Sequence, residues 1–126
     1  MLDKIKDSGR MVVDVAQMSE YYYWEGTLTE NQIFSTPWQD AQGKARLAFS
    51  VWNQGAAAAG YFLKLSHSPT GYPLITRLGS SGALGANGTA HADLVLSTRY
   101  WQFQFLTGST AGSYPYKIWI AVHPVS

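Results

Sequence analysis

Tyr100-Trp101-Gln102-Phe103-Gln104-Phe105-Leu106 is the stretch whose reading decides the fold. Trp101, Phe103 and Phe105 alternate with Gln102 and Gln104. A period of two marks a strand with one buried face, because successive side chains leave a strand on opposite sides. The same alternation recurs in Ala45–Trp52, where Leu47, Phe49 and Val51 alternate with Arg46, Ala48, Ser50 and Trp52. In Tyr61–Ser66, Tyr61, Leu63 and Leu65 alternate with Phe62, Lys64 and Ser66; in Tyr116–His123, Ile118, Ile120 and Val122 alternate with Lys117, Trp119 and Ala121. Weaker strand candidates are Met11–Ala16, Tyr21–Thr29, Gln32–Ser35, Pro73–Leu78 and Ala90–Leu96.

The segments between them carry turn chemistry. Asp40-Ala41-Gln42-Gly43, Asn53-Gln54-Gly55 and Ser68-Pro69-Thr70-Gly71 hold residues that tolerate or preset turn dihedrals. Gly79–Gly88 and Thr107–Ser113 are small and polar and read as loops, the first of them mobile. Ala56–Ala59 reads equally as the start of a helix or as a small-residue strand edge, since Gly55 and Gly60 flank it. No stretch keeps a helical stripe. The sequence therefore predicts an all-β protein, a single antiparallel β-sandwich that is jelly-roll-like, with an open barrel as the alternative.

At 126 residues the chain suits one domain. The first ten residues stand apart: Asp3, Lys4, Lys6, Asp7 and Arg10 put five charges there, out of nine basic and eight acidic residues in all. We read residues 1–10 as a charged N-terminal arm and 11–126 as the sandwich domain. Charged residues make up 13% of the chain, against the usual ~25%. A net charge of +1 argues against nucleic acid, whose binding needs clustered Lys and Arg. The absence of cysteine excludes disulfides and thiolate metal sites in this sequence. No apolar run approaches the ~20 residues of a membrane-spanning helix, and residues 1–10 lack the apolar core of a signal peptide, so cytoplasmic folding and no membrane insertion are expected.

The outward half of each alternating strand carries the functional information. Trp52, Phe62 and Trp119 fall on the side that also holds Arg46, Lys64 and Lys117. Large aromatics on a nominally wet face mark contact with another molecule. We therefore assign Trp52, Phe62 and Trp119, with Lys4, Lys6 and Arg10 of the arm, as interface residues; a β-bulge would instead return one of the aromatics to the core. Tyr21-Tyr22-Tyr23-Trp24 is the densest aromatic run, and only half of it can enter one core. Tyr22 and Trp24 are the candidate ligand-binding pair, because aromatic platforms beside polar groups stack on sugar rings.

Catalytic patterns are missing. There is no G-x-S-x-G elbow, and Glu20, Glu25 and Glu30 read as plain surface carboxylates rather than a glycosidase pair. His91 and Asp93 share a strand face but make only part of a metal site, which needs three or four ligands. Gly82, Gly85 and Gly88 do not form a phosphate-binding loop, and Asn87-Gly88-Thr89 matches the glycosylation pattern by chance. No catalytic residue, metal or cofactor is expected, and the chain is read as non-enzymatic.

The low charge, the Gly/Ser/Thr/Ala-rich loops and the aromatic strand Tyr100-Trp101-Gln102-Phe103-Gln104-Phe105 resemble small all-β accessory proteins of tailed-phage virions, the capsid decoration or cement proteins and tail-fibre tip domains. The resemblance covers the chain from about Met11 onward. It implies a homo-oligomer, with a trimer favoured, that contacts other virion structural proteins after assembly in the host cytoplasm. The alternative is a carbohydrate- or receptor-binding module, such as a tail-fibre tip or lectin, with a cell-surface glycan as partner.

Overall fold

A computed structural model describes residues 18–124. The arm over residues 1–10, with Lys4, Lys6 and Arg10, and the strand expected over Met11–Ala16 lie outside the described residues. The chain forms β1 (Glu20–Leu28), β2 (Ile33–Ser35), β3 (Gln39–Asp40), β4 (Arg46–Asn53), β5 (Ala59–Ser66), β6 (Leu74–Leu84), β7 (Thr89–Val95), β8 (Tyr100–Thr107) and β9 (Tyr114–His123). One sheet has four strands in the order β1-β9-β4-β7; the other runs β2-β8-β5-β6, with the short β3 also paired to β8. Every pairing is antiparallel. The all-β sandwich read from the alternation is the observed fold. Among the described strands, β5 and β6 form the one hairpin of consecutive strands; β2 and β3 follow each other along β8, and the other connections change sheets.

The two sheets close on the inward halves of the strands. In β9, Ile118 and Ile120 lie between Trp24 and Tyr22 of β1 and Val51 and Phe49 of β4. In the facing sheet Trp101, Phe103 and Phe105 of β8 pair with Leu65, Leu63 and Tyr61 of β5. Aromatic rings join the layers. Phe49 meets Phe103 at 5.2 Å and Tyr61 at 5.3 Å, while Tyr116 packs against Phe105 at 4.9 Å and Phe34 at 5.2 Å. Such pairs add about 0.5–1.5 kcal/mol each beyond area burial. Gly26 makes room for this stack: a Cβ there would lie 2.7 Å from the Tyr116 hydroxyl.

Two local expectations change. Gly79–Gly88 is not one loop, because β6 continues to Leu84 and the turn is confined to residues 85–88. The small residues belong to a close strand crossing. A Cβ on Gly60 would meet the Ser80 carbonyl at 2.3 Å, and one on Gly79, whose φ is +104°, would meet the Tyr61 carbonyl at 2.2 Å. The pairing shifts register between Ala59 and Tyr61 at the same place. Ala56–Ala59 is not helical: a bend leads into β5, which starts at buried Ala59.

Buried Asn53 ties two turns together at the end of β4. Its Nδ2 donates to the carbonyls of Ala57 (2.8 Å) and Gly85 (3.0 Å), and its Oδ1 accepts from the Gly55 N–H (3.0 Å). Asn53→Ala strands all three backbone groups. We expect a loss of about 2–4 kcal/mol, read as a lower urea midpoint at unchanged slope; an unaltered midpoint would refute the clamp.

Candidate functional site

Strand parity builds the outer face of the four-stranded sheet. Ile118, Ile120 and Val122 of β9 point inward, so Lys117, Trp119 and Ala121 point out. Register then sets their neighbours. Trp119 pairs with Tyr23 of β1 and Ser50 of β4, and Ala121 pairs with Tyr21 and Ala48. On the far side of β4, Ser50 faces His91 and Ala48 faces Asp93 of β7.

Small residues on the middle strands and rings beside them make a trough of about 340 Å³. Its floor is Ala48, Ser50 and Ala121; its walls are Tyr21, Tyr23 and Trp119. Tyr21 is 76% exposed, Tyr23 47% and Trp119 42%. The Tyr23 and Trp119 rings sit 5.5 Å apart, tilted by 45°. The Tyr23 hydroxyl donates to Glu25 Oε1 at 2.6 Å, and that bond raises its pKa above the ordinary phenol value. Tyr21 stands edge-on to His123 at 5.9 Å, and His123 Nδ1 is hydrogen-bonded to Ser19 Oγ at 2.9 Å. Along the rim, Arg46 forms an ion pair with Asp93, and Lys117 lies beside Glu25 in the register.

The residues singled out from the sequence are dispersed. Tyr22 and Trp24 have the opposite parity to Tyr21 and Tyr23. They stack on each other at 5.6 Å, and the Tyr22 ring stands edge-on to Trp101 at 5.3 Å, so both are half-buried against the core. Burial, reinforced by donation to Glu20 Oε1 at 2.7 Å, pushes the Tyr22 phenol far up. Trp52 and Trp119 share the outer face of the four-stranded sheet, but the Trp52 indole N–H donates to Asn87 Oδ1 at 3.0 Å. Phe62 lies on the outer face of the other sheet, under the Arg77 guanidinium at 4.6 Å. Glu20 lies by Tyr22 and buried Lys44, Glu25 lies on the outer face, and Glu30 accepts from the Gly112 N–H, so these carboxylates do not converge. Among the described residues no three His, Asp or Glu side chains gather to hold a metal.

A second feature is the edge strand β6. Ten of its eleven residues are exposed, Leu74, Ile75 and Leu78 among them. It bonds only to β5 among the described strands. Leu78 shares the inward face of its partner Leu63, yet it is exposed, with no described strand of the opposite sheet covering it. Val95 in β7, the edge of the facing sheet, is exposed too. The sequence showed the apolar residues of β6 but not that they would sit at an edge, because edge position depends on pairings between distant segments.

Comparison with known proteins gives a likeness of fold. No family model and no curated protein matches the sequence. The chain is similar to the PBSX exported protein XepA, with a TM-score of 0.62 and 15% identity over 90% of this chain. It spans only 39% of XepA's length. It is also similar to a protein of Bacillus endospore appendages, which are described as disulfide-linked pili, with a TM-score of 0.48 and 6% identity over 90% of this chain and 95% of the other.

Beside the paired Asp40 and Tyr100 of the five-stranded sheet, Arg99 grips the Asp40 carboxylate through Nε (3.0 Å) and a terminal nitrogen (2.9 Å). These bonds hold Asp40 below the usual carboxylate pKa. A depressed folded-state pKa contributes stability above the unfolded value of about 4 and loses it as pH falls through the folded value. Asp40→Asn is therefore expected to lower Tm at pH 7 and to match the parent once the pH falls well below 4; a gap that persists in acid would contradict the pairing.

Proposed function

We propose that this chain is a non-enzymatic building block of a symmetric assembly, a phage virion accessory protein of the capsid-decoration or cement kind, in which copies of the chain meet along β6. The observation that carries this reading is the edge itself. An edge strand offers a row of unpaired N–H and C=O groups, and proteins commonly blunt such edges with lysines, prolines or covering loops. β6 has Arg77 as its one charge and no proline within it. Its exposed Leu74, Ile75 and Leu78 add an apolar stripe to the open ladder.

Magnitudes limit what the edge does alone. Burying the exposed part of each of those three side chains contributes roughly 1 kcal/mol, whereas association costs at least about 4 kcal/mol. The Phe62–Arg77 surface adjoins the edge and enlarges the contact. A closed ring of copies repeats the contact at each subunit, as closed symmetry requires. This sequence has no cysteine, so its contacts are not disulfide-linked.

Three further observations support the reading. The solved fold it resembles over nearly its whole length is that of a phage (PBSX) exported protein. The carboxylates are dispersed rather than aimed into one cleft. Arg46 and Arg99 are paired with Asp93 and Asp40 rather than offered to a polyanion.

Light scattering of the parent chain is expected to show a closed oligomer, a trimer by the family resemblance. Leu74→Lys/Ile75→Lys should give a monomer with an unchanged far-ultraviolet spectrum. A parent that stays monomeric at all concentrations, or a double variant that assembles like the parent, would overturn the proposal.

A further inference from the structure

We infer that the trough walled by Tyr21, Tyr23 and Trp119 is a binding site for a neutral sugar ring. This inference is independent of the contact along β6, which lies in the other sheet.

Shape is the first argument. The trough holds about 340 Å³, which falls within the range of small-molecule sites. The hollow between the rings exists because three adjacent positions on the paired strands β4 and β9 carry only Ala48, Ser50 and Ala121. The rings of Tyr21, Tyr23 and Trp119 stand above that floor. A second flat sheet laid across them would rest on the rings and leave the floor empty, whereas sheet packing needs interdigitated side chains.

The second argument is chemical asymmetry. Aromatic faces lie on the β1–β9 side, while the polar Ser50 lies toward β7, with His91 and Asp93 on the next strand beyond the trough's lining. A pyranose has the matching asymmetry, with an apolar C–H face that stacks on rings and a rim of hydroxyls that bond to polar side chains.

Charge narrows the class. Arg46 neutralises Asp93, and Glu25 is engaged by the Tyr23 hydroxyl with Lys117 alongside. These pairs lie outside the trough, whose own lining carries no charged side chain, so it offers no counter-charge to an ionic ligand and suits a neutral one. The rings are also positioned before any ligand arrives: Tyr23 by Glu25 and Trp119, Tyr21 by His123. That lowers the side-chain ordering cost of binding.

The test is a glycan array carrying neutral, sialylated and sulfated glycans, probed with the full chain, followed by tryptophan-fluorescence titration with any neutral oligosaccharide retained. At least one neutral glycan is expected to bind. Trp119→Ala and Tyr21→Ala should each weaken that binding by about tenfold, as loss of one stacked ring implies. Ala48→Leu, which keeps every ring but fills the floor, should do the same. Trp52→Phe, outside the trough, should leave binding within about twofold. Binding to no neutral glycan, binding only to charged ones, or parental binding by Ala48→Leu would overturn the inference. So would a Trp119→Ala chain that loses self-association instead. Light scattering of the parent reads the assembly separately, so failure of one reading is distinguishable from failure of the other.

Discussion

The in-and-out order of β9 is the constraint on which the rest of the molecule depends. This strand lies between β1 and β4, and its register with both decides which of their residues enter the core. With Ile118 and Ile120 inward, Tyr22 and Trp24 must be inward too, and Tyr21, Tyr23 and Trp119 must line the outside. A slip of one residue would exchange the two sets. The aromatic core and the aromatic trough are thus two faces of one register, and mutations that unsettle it damage both.

Much of this architecture is legible from local pattern. The alternation in Ala45–Trp52, Tyr61–Ser66, Tyr100–Leu106 and Tyr116–His123 places β4, β5, β8 and β9 within two residues of their observed ends. Even the weak candidates Tyr21–Thr29 and Ala90–Leu96 coincide with β1 and β7. Legibility ends where pairing is non-local. Nothing within Tyr21-Tyr22-Tyr23-Trp24 says which two rings are buried; that follows from pairing with a strand about ninety residues away, as the Tyr23–Trp119 register shows. Likewise Ser80 and Ser81 resemble a loop until Gly60 of β5 is seen against their backbone, where Gly60 leaves no room for a Cβ. The candidate site was half legible: Trp119 stood out as an outward aromatic, whereas its partners Tyr21 and Tyr23 did not.

The sparse charge acquires a structural meaning. Where the described sheets carry charge, several groups are engaged within the chain: Arg46 with Asp93, Arg99 with Asp40, Arg77 over Phe62. Beside these pairs and the outward Lys64 and Lys117, two mainly uncharged surfaces are left. The edge β6 offers backbone and aliphatic groups in a line, which suits another strand. The trough offers rings around a hollow, which suits a compact solute. The two surfaces lie in different sheets, so occupancy of one leaves the other open.

The position of β9 also bears on how the chain is made. A ribosome adds roughly 5–20 residues each second, and β9 is the last of the described strands to emerge although it belongs in the middle of its sheet. Until it arrives, β1 and β4 each wait with a vacant side and their inward rings unsealed. Of the pairings formed before β9, the β5–β6 hairpin alone joins strands adjacent in sequence among those described. The four-stranded layer is therefore completed by insertion from within rather than by growth from a margin, and its inward rings stay unsealed until β9 emerges.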